Sequence, residues 1–209
     1  MSEKEPHHPL LKAEEIDSAL KGHGHYLNRE AVRHSTCMSD TVGMQKSGLG
    51  VHKVRLEPHC ESTQIHYHLN DSEWLYILSG SGILQLIDSS ILGNQEEEEK
   101  NQKSHPREKD SKVPNASLPI ANNINRQDVD IEEREVSPGD FIGFQGGTKA
   151  GKYAHGLKAG SKGLEYLMGG TRKDFDICCY PELGISNIAD KLSGQEIITK
   201  IDTVDTSSQ

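Results

Sequence analysis

The chain has 209 residues, of which 33% are hydrophobic, 26% charged and 5% aromatic, and 23 Lys+Arg against 32 Asp+Glu give a formal net charge of -9. That length suits one domain with appendages, and an apolar share of a third falls short of the roughly 45–50% usual for compact domains, so part of the chain is expected to stay outside any core. An acidic balance without a basic cluster argues against a nucleic-acid binder. No apolar run approaches the roughly 18–20 residues of a membrane span. No hydrophobic segment follows the charges at Met1 to Pro9 as it would in a secretory signal. The expected location is therefore the cytoplasm, with the nucleus open to a chain of this size. Cys37, Cys60, Cys178 and Cys179 show no C-x-x-C spacing, and free thiols are expected.

In chain order, the first nine residues read as a tail and Lys12 to Lys21 as a short helix stopped by Gly22, with Leu11, Ile16, Ala19 and Leu20 approximating one face. Val51 to Leu56, Thr63 to Leu69, Trp74 to Leu78 and Ile83 to Asp88 are short, β-branched or aromatic, and bounded by turn formers, which predicts strands. From Gly93 to Ser117 only Val113 and Ala116 are hydrophobic and Glu96 to Glu99 form an acidic run. Such a segment buries too little to offset its ordering entropy and is expected to be a disordered insertion, with flanks reaching about 90–131. Strands resume at Asp140 to Phe144 and Leu164 to Met168, a second short helix is expected around Ile188 to Leu192, and Thr203 to Gln209 reads as a tail. The expectation is an all-β sandwich or barrel with one or two short peripheral helices. Residues 1–25 would form a tail and helix, 26–185 the barrel interrupted by the insertion, and 186–209 a C-terminal extension.

The chemistry concentrates at Gln64-Ile65-His66-Tyr67-His68-Leu69-Asn70-Asp71-Ser72-Glu73. Residues two apart on a strand share a face, so Gln64, His66 and His68 project together and Ile65, Tyr67 and Leu69 project oppositely. The turn formers from Asn70 to Ser72 can bring Glu73 back beside both imidazoles, and Gly80 ends that strand in a tight turn. Further on, Pro138-Gly139 leads into a strand and a Gly-rich loop ends at His155, which can enter the same site from an opposing strand. His66, His68, Glu73 and His155 would then form a three-histidine, one-carboxylate shell. That shell suits one divalent ion among Fe, Mn, Ni and Zn, with positions left open for substrate. Gln64, on the face of the two histidines, is a candidate catalytic or supporting group. Lys149, Lys152 and Tyr153 could orient an anionic substrate, whereas His23, His25, His34, His52, His59 and His105 have no partners at useful spacing.

Two stretches resemble the cupin superfamily. The first cupin motif, G-x5-H-x-H-x3-4-E-x6-G, is matched by His66, His68, Glu73 and Gly80, with Cys60 at the opening glycine position. The second, G-x5-P-x-G-x2-H-x3-N, is matched by Gly139, Gly147 and His155, with Gln145 at the proline position, Ala159 at the asparagine position and a longer loop before the histidine. Tyr166 to Arg172 followed by Tyr180-Pro181-Glu182 looks like the end of a group of small single-domain cupins. The resemblance implies a double-stranded β-helix or jelly-roll barrel, and a metal-ligand role for His66, His68, Glu73 and His155. It also implies a homodimer binding a small-molecule ligand or substrate, while the acidic balance and the lack of a long apolar run argue against nucleic-acid and membrane partners. Two functions fit: a metalloenzyme carrying out dioxygenase-like oxidation or sugar isomerase or epimerase chemistry, and a non-catalytic cupin that binds a metabolite.

Overall fold

The computed structural model describes residues 8–88, 129–147 and 153–200. Its elements are α1 (Ala13–Ser18), β1 (Lys21–His25), β2 (Asn28–Cys37), α2 (Met38–Thr41), β3 (Leu49–Leu56), β4 (Tyr67–His68), β5 (Glu73–Asp88), β6 (Glu132–Val136) and β7 (Phe141–Phe144). They continue as β8 (Tyr153–Thr171), β9 (Phe175–Tyr180), a 3-10 turn at Pro181–Leu183, β10 (Ile185–Asp190) and β11 (Gln195–Lys200). One sheet runs β1-β2-β3-β8-β5-β6, with β7 also paired to β5, and a second runs β11-β10-β9-β4. Every pairing is antiparallel, and the chain is predominantly β, as expected. Among the described residues no helix is long and apolar enough to cross a membrane.

The long strands β5 and β8 are the spine. They pair from Glu73 opposite Gly170 to Asp88 opposite Tyr153, with register shifts between Ile77 and Ser79 and between Gly80 and Gly82. These irregularities bend the pair, as β-bulges do, so its two ends contribute to different parts of the barrel wall. One core lies inside the larger sheet, built from Val54, Leu56, Leu75, Ile77, Leu84, Leu157, Leu164 and Tyr166. A second joins the sheets through Ile65, Tyr67, Ile87, Ala154 and Cys179, with Leu69 packed against it. Ile65, Tyr67 and Leu69 therefore take the face opposite the histidines, as the alternation predicted.

Three local expectations change. The first helix is shorter than Lys12 to Lys21 and has no buried residue. Ile188 to Leu192 is not helical: Ile188 pairs with Ile177 of β9 and Ile197 of β11, and hydrogen bonding on both sides holds the segment as strand. The H-x-H segment is regular strand only at Tyr67 and His68. Strands β1 and β11, and all of β10 but Ile185, fall outside residues 26–185 yet hydrogen-bond into the sheets. The acidic run Glu96 to Glu99, nearly all of the expected insertion, both extreme tails, and Lys149 and Lys152 lie outside the described residues.

Gly80 adopts φ +84, and a methyl group there would run into the carbonyl oxygen of Gly163 on β8. Left-handed geometry alone costs a non-glycine residue about 1–2 kcal/mol, and the clash with backbone adds to it. Gly80→Ala is accordingly expected to destabilise the fold by at least about 2 kcal/mol, measured by chemical denaturation. A control substitution at Gly139, whose φ is +97 but whose added methyl meets nothing within 4 Å, should cost less.

Candidate metal centre

The antiparallel bridge between His66 and His155 assembles the site. The His66 N–H donates to the His155 carbonyl at 3.1 Å and the His155 N–H returns the bond at 2.8 Å. Directly paired residues on antiparallel chains present their side chains on the same face, so the two rings lie with centroids 4.9 Å apart. His68 follows two residues on, with its ring 5.0 Å from that of His66. Glu73 opens β5 after the Asn70 to Ser72 turn. Its Oε2 lies 3.2 Å from His155 Nε2, 3.5 Å from His68 Nε2 and 4.0 Å from His66 Nε2. All four residues expected from the sequence therefore meet around one carboxylate oxygen.

The far side of each ring determines what the near side offers. His66 Nδ1 donates to the Gln64 carbonyl at 2.9 Å, and His68 Nδ1 donates to Asp176 Oδ2 at 2.6 Å. Protons held at Nδ1 leave the Nε2 lone pairs facing Glu73, the tautomer that a metal ion requires. His155 is fixed differently. Phe144 stacks on its ring at 3.6 Å and 6°, and its buried Nδ1 has no hydrogen-bond partner among the described residues. The donor atoms of His66, Glu73 and His155 lie within 4.8 Å of one another, as do those of His66, His68 and Cys178. Imidazole and carboxylate donors at this spacing fit a divalent first-row ion. Cys178, opposite His68 across β4 and β9, adds a sulfur that the sequence reading treated as an ordinary thiol.

Electrostatics sets the charge of the four side chains. Burial, with His155 and His68 alongside, pushes His66 from 6.5 down to about 3, so its ring is neutral near pH 7. Burial would raise Glu73, but the hydrogen bond from His155 and the surrounding imidazoles hold it well below the usual carboxylate range. Burial likewise opposes the charge on His68, yet the bond to Asp176 and the charges of Glu73, Asp176 and Asp71 raise it. Asp176 falls to about 2: the bond from His68 and backbone N–H donors at Asn70 and Asp71 outweigh its burial.

Gln64 does not share the cavity. Its side-chain amide hydrogen-bonds Glu182, and its backbone carbonyl is what supports His66. Above the four residues lies a cavity of about 490 Å³, whose wall also carries His25, His52, Arg33, Arg172, Lys191 and Tyr180. His25 and His52 have no partners at useful sequence spacing because only the sheet pairing of β1 and β3 brings them there. Arg172 donates from Nη1 to Asp40 at 2.6 Å and from Nη2 to Cys37 Sγ at 2.9 Å, with Nη2 3.3 Å from His52 Nε2. Burial, then the charges of Arg172 and Arg33, hold His52 below its ordinary value.

Solved structures share this architecture. A protein from Acidithiobacillus ferrooxidans ATCC 23270, provisionally named a sugar phosphate isomerase, is 24% identical with a TM-score of 0.65, over 96% of this chain and 97% of its own. A sugar phosphate isomerase from a cupin superfamily of Silicibacter pomeroyi DSS-3 is 20% identical with a TM-score of 0.57, over 88% of this chain and 89% of its own. No family model and no curated protein matches the sequence. The fold is that of the cupin superfamily, as the two motifs implied.

The depressed value of His66 predicts a pH dependence. Because its folded value lies below its unfolded one, the neutral ring's contribution is complete above pH 6.5 and is lost as pH falls towards 3. His68, shifted the other way, changes stability above 6.5 instead. Chelator-treated protein should lose up to about 1.4 kcal/mol of stability per pH unit between 6.5 and 5. His66→Gln should flatten that slope in denaturant titrations, and identical slopes in both proteins would reject the assignment.

Proposed function

We propose that the protein is a metal-dependent enzyme acting on a small hydroxy-carbonyl compound, by isomerisation of the kind a sugar phosphate undergoes. The carrying observation is the approach of three imidazole Nε2 atoms to one Oε2 of Glu73 at the floor of a single cavity. His66, His68, Glu73 and His155 would hold the ion. When bound, it would supply Lewis acidity, polarising a carbonyl or hydroxyl oxygen of the substrate. The names of the two similar structures support isomerase chemistry over oxidation.

The chain's own residues supply the remaining requirements. Gln64 and Asp176 fix ring orientation through the Nδ1 protons of His66 and His68. Aldose–ketose interconversion moves one proton between adjacent carbons and so needs a neutral base close to the substrate. His52 and His25 on the cavity wall both have depressed values, caused first by burial and then by neighbouring arginines, and both are therefore neutral near pH 7. The His25 Nδ1 accepts from the Leu27 N–H at 3.2 Å, which places its proton on Nε2 and makes that atom a donor. The His52 Nε2 accepts from Arg172 Nη2 at 3.3 Å, so His52 would serve as the base only by exchanging that contact for the substrate proton.

Protein purified without a histidine tag should contain close to one divalent ion per chain by elemental analysis. In D2O it should incorporate solvent deuterium next to the carbonyl of an aldose or ketose phosphate. His68→Ala and His155→Ala should each lose most of the metal and at least about 100-fold in exchange rate, beyond the 10–100-fold typical of outer-shell changes. Exchange that survives either substitution undiminished would refute the mechanism.

A further inference from the structure

Among the described residues the cavity contains one cation with no anion paired to it. On β2, Ser35 pairs with Val54 and Cys37 with His52 of β3, and paired residues share a face. By alternation, Ala31 and Arg33 lie on that same inner face. Ala31 and Val54 are both 0% exposed, so this face is the inside of the barrel. Arg33 itself is half-buried there, so its guanidinium gives up part of its hydration with no anion in exchange.

The other cavity cations are neutralised. Arg172 meets Asp40 at 2.6 Å, and Lys191 meets Asp71 Oδ2 at 2.6 Å. The cavity acids are equally committed: Glu73 to the imidazoles, Asp176 to His68, and Asp71 to Lys191, Thr171 and the Lys173 N–H. Among the described residues Arg33 has neither a carboxylate within ion-pair distance nor a hydrogen-bond partner, yet it lines the cavity that holds His66, Glu73 and His155. Its charge is felt there, as one cause of the depressed values of both His25 and His52.

We propose that Arg33 is the anchor for an oxyanion on the substrate, specifically a phosphate monoester, whose opposite end reaches the His66–Glu73 centre. The proposal rests on reading that cavity as the substrate site. A guanidinium presents a planar fork of N–H donors that matches two phosphate oxygens at once, and a cavity of about 490 Å³ is of the size that takes a small metabolite. Arg33 then sets which substrates enter, by demanding a negative group, while the chemistry proceeds at the histidines.

The test is titration of inorganic phosphate, and separately acetate, into full-length wild type, Arg33→Gln and Arg33→Lys at constant ionic strength, before and after chelator treatment. Wild type should bind phosphate. Arg33→Gln should weaken binding at least 10-fold, about 1.4 kcal/mol, with and without metal, and Arg33→Lys should retain part of it. Because Gln removes a half-buried charge that has no paired anion among the described residues, the melting temperature of Arg33→Gln should stay level or rise, whereas a structural arginine would lower it. Equal phosphate affinity in wild type and Arg33→Gln, or no binding by wild type, overturns the proposal, as does Arg33-dependent binding of acetate alone. Arg33-dependent phosphate binding by a protein that takes up no metal would leave the anchor standing and remove the metal mechanism, so the two readings fail separately.

Discussion

Everything around the centre follows from holding a carboxylate inside a barrel among three imidazoles. A buried Glu73 survives as an anion because the hydrogen bond from His155 and the surrounding imidazoles offset its burial, and the imidazoles keep their Nε2 atoms towards it only if their other nitrogens are occupied or their rings are clamped. The reciprocal backbone bonds between His66 and His155 satisfy the first part, because they join the two sheets at the point where the rings must meet. Gln64, Asp176 and Phe144 satisfy the second.

Asp176 shows how closely fold and site are coupled. It accepts the hydrogen bond from His68 Nδ1 on one oxygen, while its other oxygen accepts the N–H groups of Asn70 at 3.0 Å and Asp71 at 3.1 Å. A single side chain on β9 thus fixes the turn that delivers Glu73 and orients the ring that faces it. The cavity above has the opposite character. Among the described residues its cations are balanced pair by pair except for Arg33, and its neutral histidines stay neutral because burial and neighbouring arginines oppose protonation.

The centre itself was legible in sequence because its logic is local. Alternation places His66 and His68 on one face, Asn70 to Ser72 can only turn, and Gly80 marks the bend where a methyl group has no room. The barrel was legible for the same reason, from short β-branched runs between turn formers. Reading Gln64 as part of the site assumed a continuous strand, whereas only Tyr67 and His68 are regular strand. The chain before them is free to turn the Gln64 amide out to Glu182 while its carbonyl stays with His66. Ile188 misled because a short apolar run carries no reliable period, and two neighbouring strands made the choice.

By itself, then, the sequence determined the all-β class, the two histidines on one face, and the glutamate and glycine that follow at turn-compatible spacing. Only the tertiary structure decided that His155 meets His66 across a backbone bridge, that Asp176 and Cys178 stand beside His68, and that His52 and Arg33 share the cavity wall. The physical reason is range. Faces and turns are set by backbone geometry within a few residues, whereas the partners of the centre come from strands far apart in the chain, and only hydrogen-bond register between sheets says which of them meet.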